Sequence, residues 1–150
     1  MPEPRGSTDD PHHGSTLTTA RDGFVQPVGV REVAAYTHAI VRPGVPVFLT
    51  GQVAWDTDGR VVGVGDIAAQ TAQVWRNIAL VLAGIGAGMN DIVKLTTYTT
   101  DAAHRDVIGA ERARHFAPGR FPASTFLVVA GLADPELLVE IEAIAVLPTA

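Results

Sequence analysis

Two stretches carry side chains whose types and spacing suit chemistry. In "LVEIEAIAV" (138–146) the two-residue period of a β-strand sets Glu140, Glu142 and Ile144 on one face. Val139, Ile141, Ala143 and Ala145 fall on the other face, which reads as core. Charged groups are rarely buried without partners. Two acids on one side of an inner-strand pattern therefore leave two readings. Either that face is exposed and salt-bridged, or one carboxylate meets ligand or water in a cleft between subunits. The second stretch is "RFPASTFLVV" (120–129), where Ser124 and Thr125 precede an apolar run. A polar strand entrance and a pair of ligand-binding hydroxyls are both consistent with it.

Other chemical patterns are weaker. Ser124, His38 or His104, and Asp101 make a hydrolase-like set on paper, but no G-x-S-x-G elbow supports it. His38 sits among alternating apolar residues and reads as a strand-face residue. "GIGAG" (84–88) has the glycines of a dinucleotide loop in the wrong place, closing a helix and preceding a strand. His12 and His13 have no third ligand at a fixed spacing, so no metal site is expected.

The elements that must position these residues are legible in the pattern. "YTHAIV" (36–41) and "VFLTGQV" (47–53) read as strands around the turn "RPGVP", and "RVVGV" after "DTDG" as a short returning strand. Asp66 can cap a helix whose apolar stripe runs through Ile67, Thr71, Val74, Ile78, Leu82 and Ile85. Glycines 84, 86 and 88 stop it. "DIVKLTTYTTD" (91–101) is a β-branched strand with Ile92, Lys94, Thr96 and Tyr98 on one side and Val93, Leu95, Thr97 and Thr99 on the other. "HRDVIGAERARHF" (104–116) predicts a second helix with a thin stripe at Val107, Ile108 and Ala110 or Glu111. Two more strands follow. The order predicts an α+β fold, a mixed sheet with both helices packed on one face. The other face then needs cover that 150 residues do not provide, and self-association is the simplest source.

Composition narrows the function. Apolar residues make 47% of the chain and charged residues 18%, as in a packed globular domain. The absence of cysteine removes disulfides and thiolate chemistry and gives no sign of an oxidising compartment. Acids outnumber Lys and Arg by 16 to 11, and the cations are scattered, which argues against a nucleic-acid partner. No apolar run reaches membrane-spanning length. Residues 1–23 read as a loosely attached polar tail without a secretory core, and 24–150 as the domain. A cytoplasmic location is expected.

"FLTGQVAWDTDGRVVG", "QTAQVWRNIALVLAGIGAGMNDIVKLTTYTTD", "FPAST" and "LVEIEAIAV", in this order and spacing, resemble the Rid family, also called YjgF or endoribonuclease L-PSP. The resemblance spans about Tyr36 to Leu147. It implies a chorismate-mutase-like α+β domain, a homotrimer with small-molecule pockets at subunit interfaces, and hydrolysis of imines or enamines without metal or cofactor. By position, it implies that Tyr36 lines the pocket, that Thr50 and Gly51 contact the ligand, and that Glu140 handles the attacking water. Ser124 and Thr125 would be hydrogen-bond partners of the substrate. Deaminating members carry an arginine where this chain has Ser124, and an asparagine in the second helix corresponds to Gly109. A serine hydroxyl cannot replace a two-point guanidinium grip on a carboxylate. The resemblance therefore implies a less basic pocket and a substrate without a free carboxylate, or a trimer that binds a ligand without turning it over. The acidic balance weighs against ribonuclease activity.

Overall fold

The computed structural model describes residues 23–149. Residues 1–22, with His12 and His13 and all but the end of the expected tail, lie outside the described residues. A four-stranded sheet has the order β3-β6-β4-β5, formed by β3 (Val45–Val53), β4 (Ile92–Thr99), β5 (Ala123–Val128) and β6 (Val139–Leu147). β6 pairs antiparallel with β3 and β4, while β4 and β5 run parallel, so the sheet is mixed. A separate two-residue ladder joins β1 (Phe24–Val25) to β2 (Ala39–Ile40).

The long helix α1 (Ile67–Gly84) begins where its cap predicts. The Asp66 carboxylate accepts hydrogen bonds from the Ala68 and Ala69 amides, both at 3.0 Å. At its other end, Gly86 takes φ +72°, and the Ala87 amide donates to the Leu82 carbonyl at 2.9 Å. That closes the last turn in a Schellman motif. Ile85 thus lies beyond the helix and is exposed rather than part of the apolar stripe. The buried face is Gln70, Thr71, Val74, Trp75, Ile78 and Leu82. It packs with Leu95, Val139, Ile141, Ala143 and Ala145 of the sheet. Burying each large apolar side chain stabilises by about 1.5–3 kcal/mol. Gln70 holds its place by donating to the Gly63 and Glu136 carbonyls and accepting from the Leu138 amide.

The second helix, α2 (Arg105–Ala113), is shorter than the pattern suggested and buries only Ile108, leaving Val107 partly exposed. His115 and Phe116 leave the helix and pack on Trp75, His115 stacked at 4.6 Å between ring centroids. Three further expectations shift. "YTHAIV" forms a strand only at Ala39–Ile40, so His38 precedes it. "RVVGV" contributes a single bridge, Val61 to Trp55. Ile92 turns to the core with Leu95, because a bulge between Ile92 and Lys94 resets the alternation of β4.

Among the described residues, no layer covers the sheet face opposite the helices. It carries Lys94, Thr96 and Tyr98 of β4, Thr125 and Leu127 of β5, Glu140, Glu142 and Ile144 of β6, and Phe48 of β3, which is 74% exposed. No helix among the described residues is long and apolar enough to cross a membrane.

Candidate functional site

The residues singled out in the sequence fall into two groups on opposite faces of the sheet. On the open face, β3 contains a second bulge: Leu49 pairs with Ala143 and Gln52 with Ile141, so Thr50 and Gly51 together oppose one residue. The bulge brings Gly51 against the side chain of Glu140. A Cβ at position 51 would overlap the Glu140 carboxylate. Thr50 beside it is exposed.

The Glu140 carboxylate makes no hydrogen bond among the described residues. Partial burial, and secondly the neighbouring Glu142 charge, raise its carboxyl above the ordinary glutamate value. Glu142 is differently placed, because the Tyr98 hydroxyl donates to its Oε1 at 3.1 Å. That bond and burial hold the Tyr98 phenol above its usual value. Lys94 Nζ donates to Thr125 Oγ1 at 2.6 Å and to the Leu95 carbonyl at 2.8 Å, and its burial lowers its ammonium below the usual lysine range. Thr125 is therefore on the open face but engaged with lysine.

Ser124 points to the other side. A cleft of about 550 Å³ lies between α2, the edge strand β5 and the segment before β2. Ser124, Tyr36, Phe126, Arg105 and Arg112 line it. The segment is docked there by Thr37, whose hydroxyl donates to the Phe121 carbonyl at 2.6 Å. Arg112 Nη1 donates to Ser124 Oγ at 3.0 Å, and Nη2 to the Ala35 carbonyl at 2.9 Å. Arg105 lies over the Phe126 ring at 5.8 Å. The Ser-His-Asp set does not assemble. His38 Nε2 contacts the Arg31 carbonyl and His104 Nδ1 contacts Thr99 Oγ1, each at 2.8 Å.

The family model for endoribonuclease L-PSP matches residues 29–147, which contain both groups. The chain belongs to this family, the Rid family. A RutC family protein of Synechocystis is 34% identical over 118 residues, 78% of this chain and 89% of the relative. The conserved Rid family protein YyfB of Yersinia pestis superposes with a TM-score of 0.69 at 38% identity, over 75% of this chain and 87% of that one. RidA of an Antarctic Psychrobacter gives 0.64 at 28% identity, over 78% and 92%.

For this Rid family member, the cleft beside Ser124 carries Arg105, Arg112 and Asp106. Serine at position 124 does not leave the cleft neutral, because α2 brings Arg112 to the serine hydroxyl from across the cleft. Sequence reasoning missed Arg112 and Arg105. Their place in a helix with a thin apolar stripe gave no local signal that they face β5.

Proposed function

We propose that the protein hydrolyses imines or enamines at sites completed between subunits of a homotrimer. The observation that carries this reading is Glu140, a partly buried carboxylate set against Gly51 and without a hydrogen-bond donor among the described residues. Such an acid is suited to exchanging a proton with water. Water adds to the C=N carbon while Glu140 accepts its proton. The proton passes to nitrogen, and the carbinolamine collapses to a carbonyl compound and ammonia. An enamine enters the same path after protonation at carbon.

The need for a second chain follows from the faces. Glu140 and Ser124 cannot meet within one chain, since the sheet separates them. An open face bearing Phe48 and Leu127 supports closure by another copy. Thr50 and Gly51 flank the water-handling acid, and Tyr36 with Ser124 belongs to the cleft that a neighbour would bring to it.

The test uses the full-length protein and imines or enamines generated in situ from several amino acids. Loss of the intermediate's absorbance and release of ammonia are followed together. Acceleration is expected, falling about 100-fold or more in Glu140→Gln. No acceleration with any intermediate would refute the hydrolase and favour a ligand-binding trimer.

A further inference from the structure

We propose that Lys94 is a nucleophilic amine that forms an imine with short, uncharged aldehydes or ketones in a small pocket on the open sheet face. This is a second chemical site, separate from Glu140, and it does not depend on hydrolysis there.

Lys94 is the only lysine of the chain, and every other member of its 11 Lys and Arg residues is arginine. The difference is chemical. A guanidinium stays protonated and cannot attack a carbonyl, whereas a lysine amine can lose its proton when buried. Lys94 is half-buried in β4. Its Nζ has two partners, Thr125 Oγ1 at 2.6 Å and the Leu95 carbonyl at 2.8 Å, and both are neutral oxygens. No carboxylate forms an ion pair with it among the described residues. An ammonium carries three N–H donors, so one would lack a protein acceptor there. A neutral amine has two N–H bonds, which match the two oxygens, and a lone pair left over. Burial favours that neutral form and outweighs the opposing pull of the Glu142 charge.

The pocket beside the amine measures about 260 Å³ and is lined by Phe48, Thr96, Glu142 and Ile144 as well as Lys94. Its size suits a short chain, and Phe48 and Ile144 give that chain an apolar wall. The Glu142 carboxylate repels a second carboxylate, so an uncharged carbonyl compound fits better than an oxo acid. In the pairing of β4 with β6, Lys94 lies opposite Ile144 and Tyr98 opposite Glu140. Four residues of strand therefore separate the amine from Glu140, about 13 Å. The two groups cannot act on one atom.

The Lys94 lone pair adds to the carbonyl carbon, and the C=O π pair takes a proton to give a carbinolamine. Nitrogen then loses a proton, the hydroxyl leaves as water, and C=N forms. One amine and one carbonyl give one imine and one water. Glu142, on the pocket wall, is placed to carry the protons.

The test incubates full-length protein with butanal and sodium cyanoborohydride at pH 7, which reduces the imine to a stable secondary amine. Peptide mass mapping follows alkylation of Lys94 in the native protein and in the chain unfolded by urea. Native Lys94 is expected to react at least about tenfold faster than unfolded Lys94. 4-Oxobutanoate, an aldehyde that carries a carboxylate, should react at least about fivefold more slowly than butanal, each rate divided by its unfolded value. Glu142→Gln should remove that discrimination. Thr125→Val, at an exposed position, should slow butanal labelling at least about threefold with an unchanged melting curve. A native rate equal to or below the unfolded rate would overturn the proposal, as would 4-oxobutanoate labelling as fast as butanal. Fast labelling at Lys94 in a protein that turns over no imine would uphold this site and refute the hydrolase.

Discussion

Alanine at position 51 would place a Cβ where the Glu140 carboxylate now lies. The added carbon would also stand 2.7 Å from Cδ and 3.0 Å from Cγ of Glu140. Ordinary carbon contacts are about 3.5–4.0 Å, so the carboxylate must move by on the order of 1–2 Å. Gly51 does not have a positive φ, so the backbone accepts alanine without strain. What gives way is the end of a flexible side chain. Displacing it from its rotamer costs about 0.5–1.5 kcal/mol. Restricting the unfolded chain returns about 0.4–1 kcal/mol. The two nearly cancel, and Gly51→Ala should stay within about 1 kcal/mol of wild type in urea denaturation. Turnover should behave otherwise, since a misplacement of about 1 Å can cost 100-fold. The assay is kcat for imine hydrolysis beside the denaturation curve on the same preparation. Unchanged kcat would refute the role given to the position of Glu140. A loss of about 3 kcal/mol or more in stability would show that the backbone, not the carboxylate, had moved.

Glu140→Gln should raise the melting temperature slightly at neutral pH, with the gain vanishing in acid. The folded carboxyl titrates above its unfolded value, so the native state holds more protons between the two and loses stability as pH rises through that window. Solvent screening keeps the effect small; a glutamine variant less stable at every pH from 4 to 8 would contradict it. If the proposed trimer forms through the open face, Phe48→Asp should reduce the mass seen by light scattering to that of the monomer, because it charges an apolar side chain that is 74% exposed there. An unchanged trimer would place the interface elsewhere. Gln70→Leu should destabilise by about 1–3 kcal/mol in urea, because it strips three backbone groups of the partner that a fully buried amide supplies. Equal stability would mean that water replaces the amide.

The strongly periodic parts of the chain are legible before any coordinates. The Asp66 cap, the α1 stripe to Leu82 and the two faces of β6 all follow from local rules, because one side of each is consistently apolar. The rule failed where a bulge changes the count. Ile92 has the same parity as Lys94 in the sequence, and only pairing with β6 shows that the strand slips between them. The Thr50–Gly51 bulge is equally invisible, although the resemblance led to both residues. β5 was harder still. Ser124, Thr125, Phe126 and Leu127 alternate in direction but not clearly in polarity, so nothing local says which side faces the helices. The Arg112–Ser124 bond depends on how the "FAPGRFP" connection folds α2 back over β5. That is a tertiary outcome, which the residue at position 124 does not announce.

Glu140 and the Arg112 cleft answer to different neighbours. The acid is set by the β3 bulge and the middle of the sheet, and the cleft by α2, the edge strand and the segment around Ala35. Among the described residues, the sheet separates the side chains of the two groups. Changes at α2 or at the β5 entrance can thus reshape the cleft, while the packing that sets the Glu140 carboxylate against Gly51 is untouched. The cleft and the acid are separate units of packing, joined through the sheet between them.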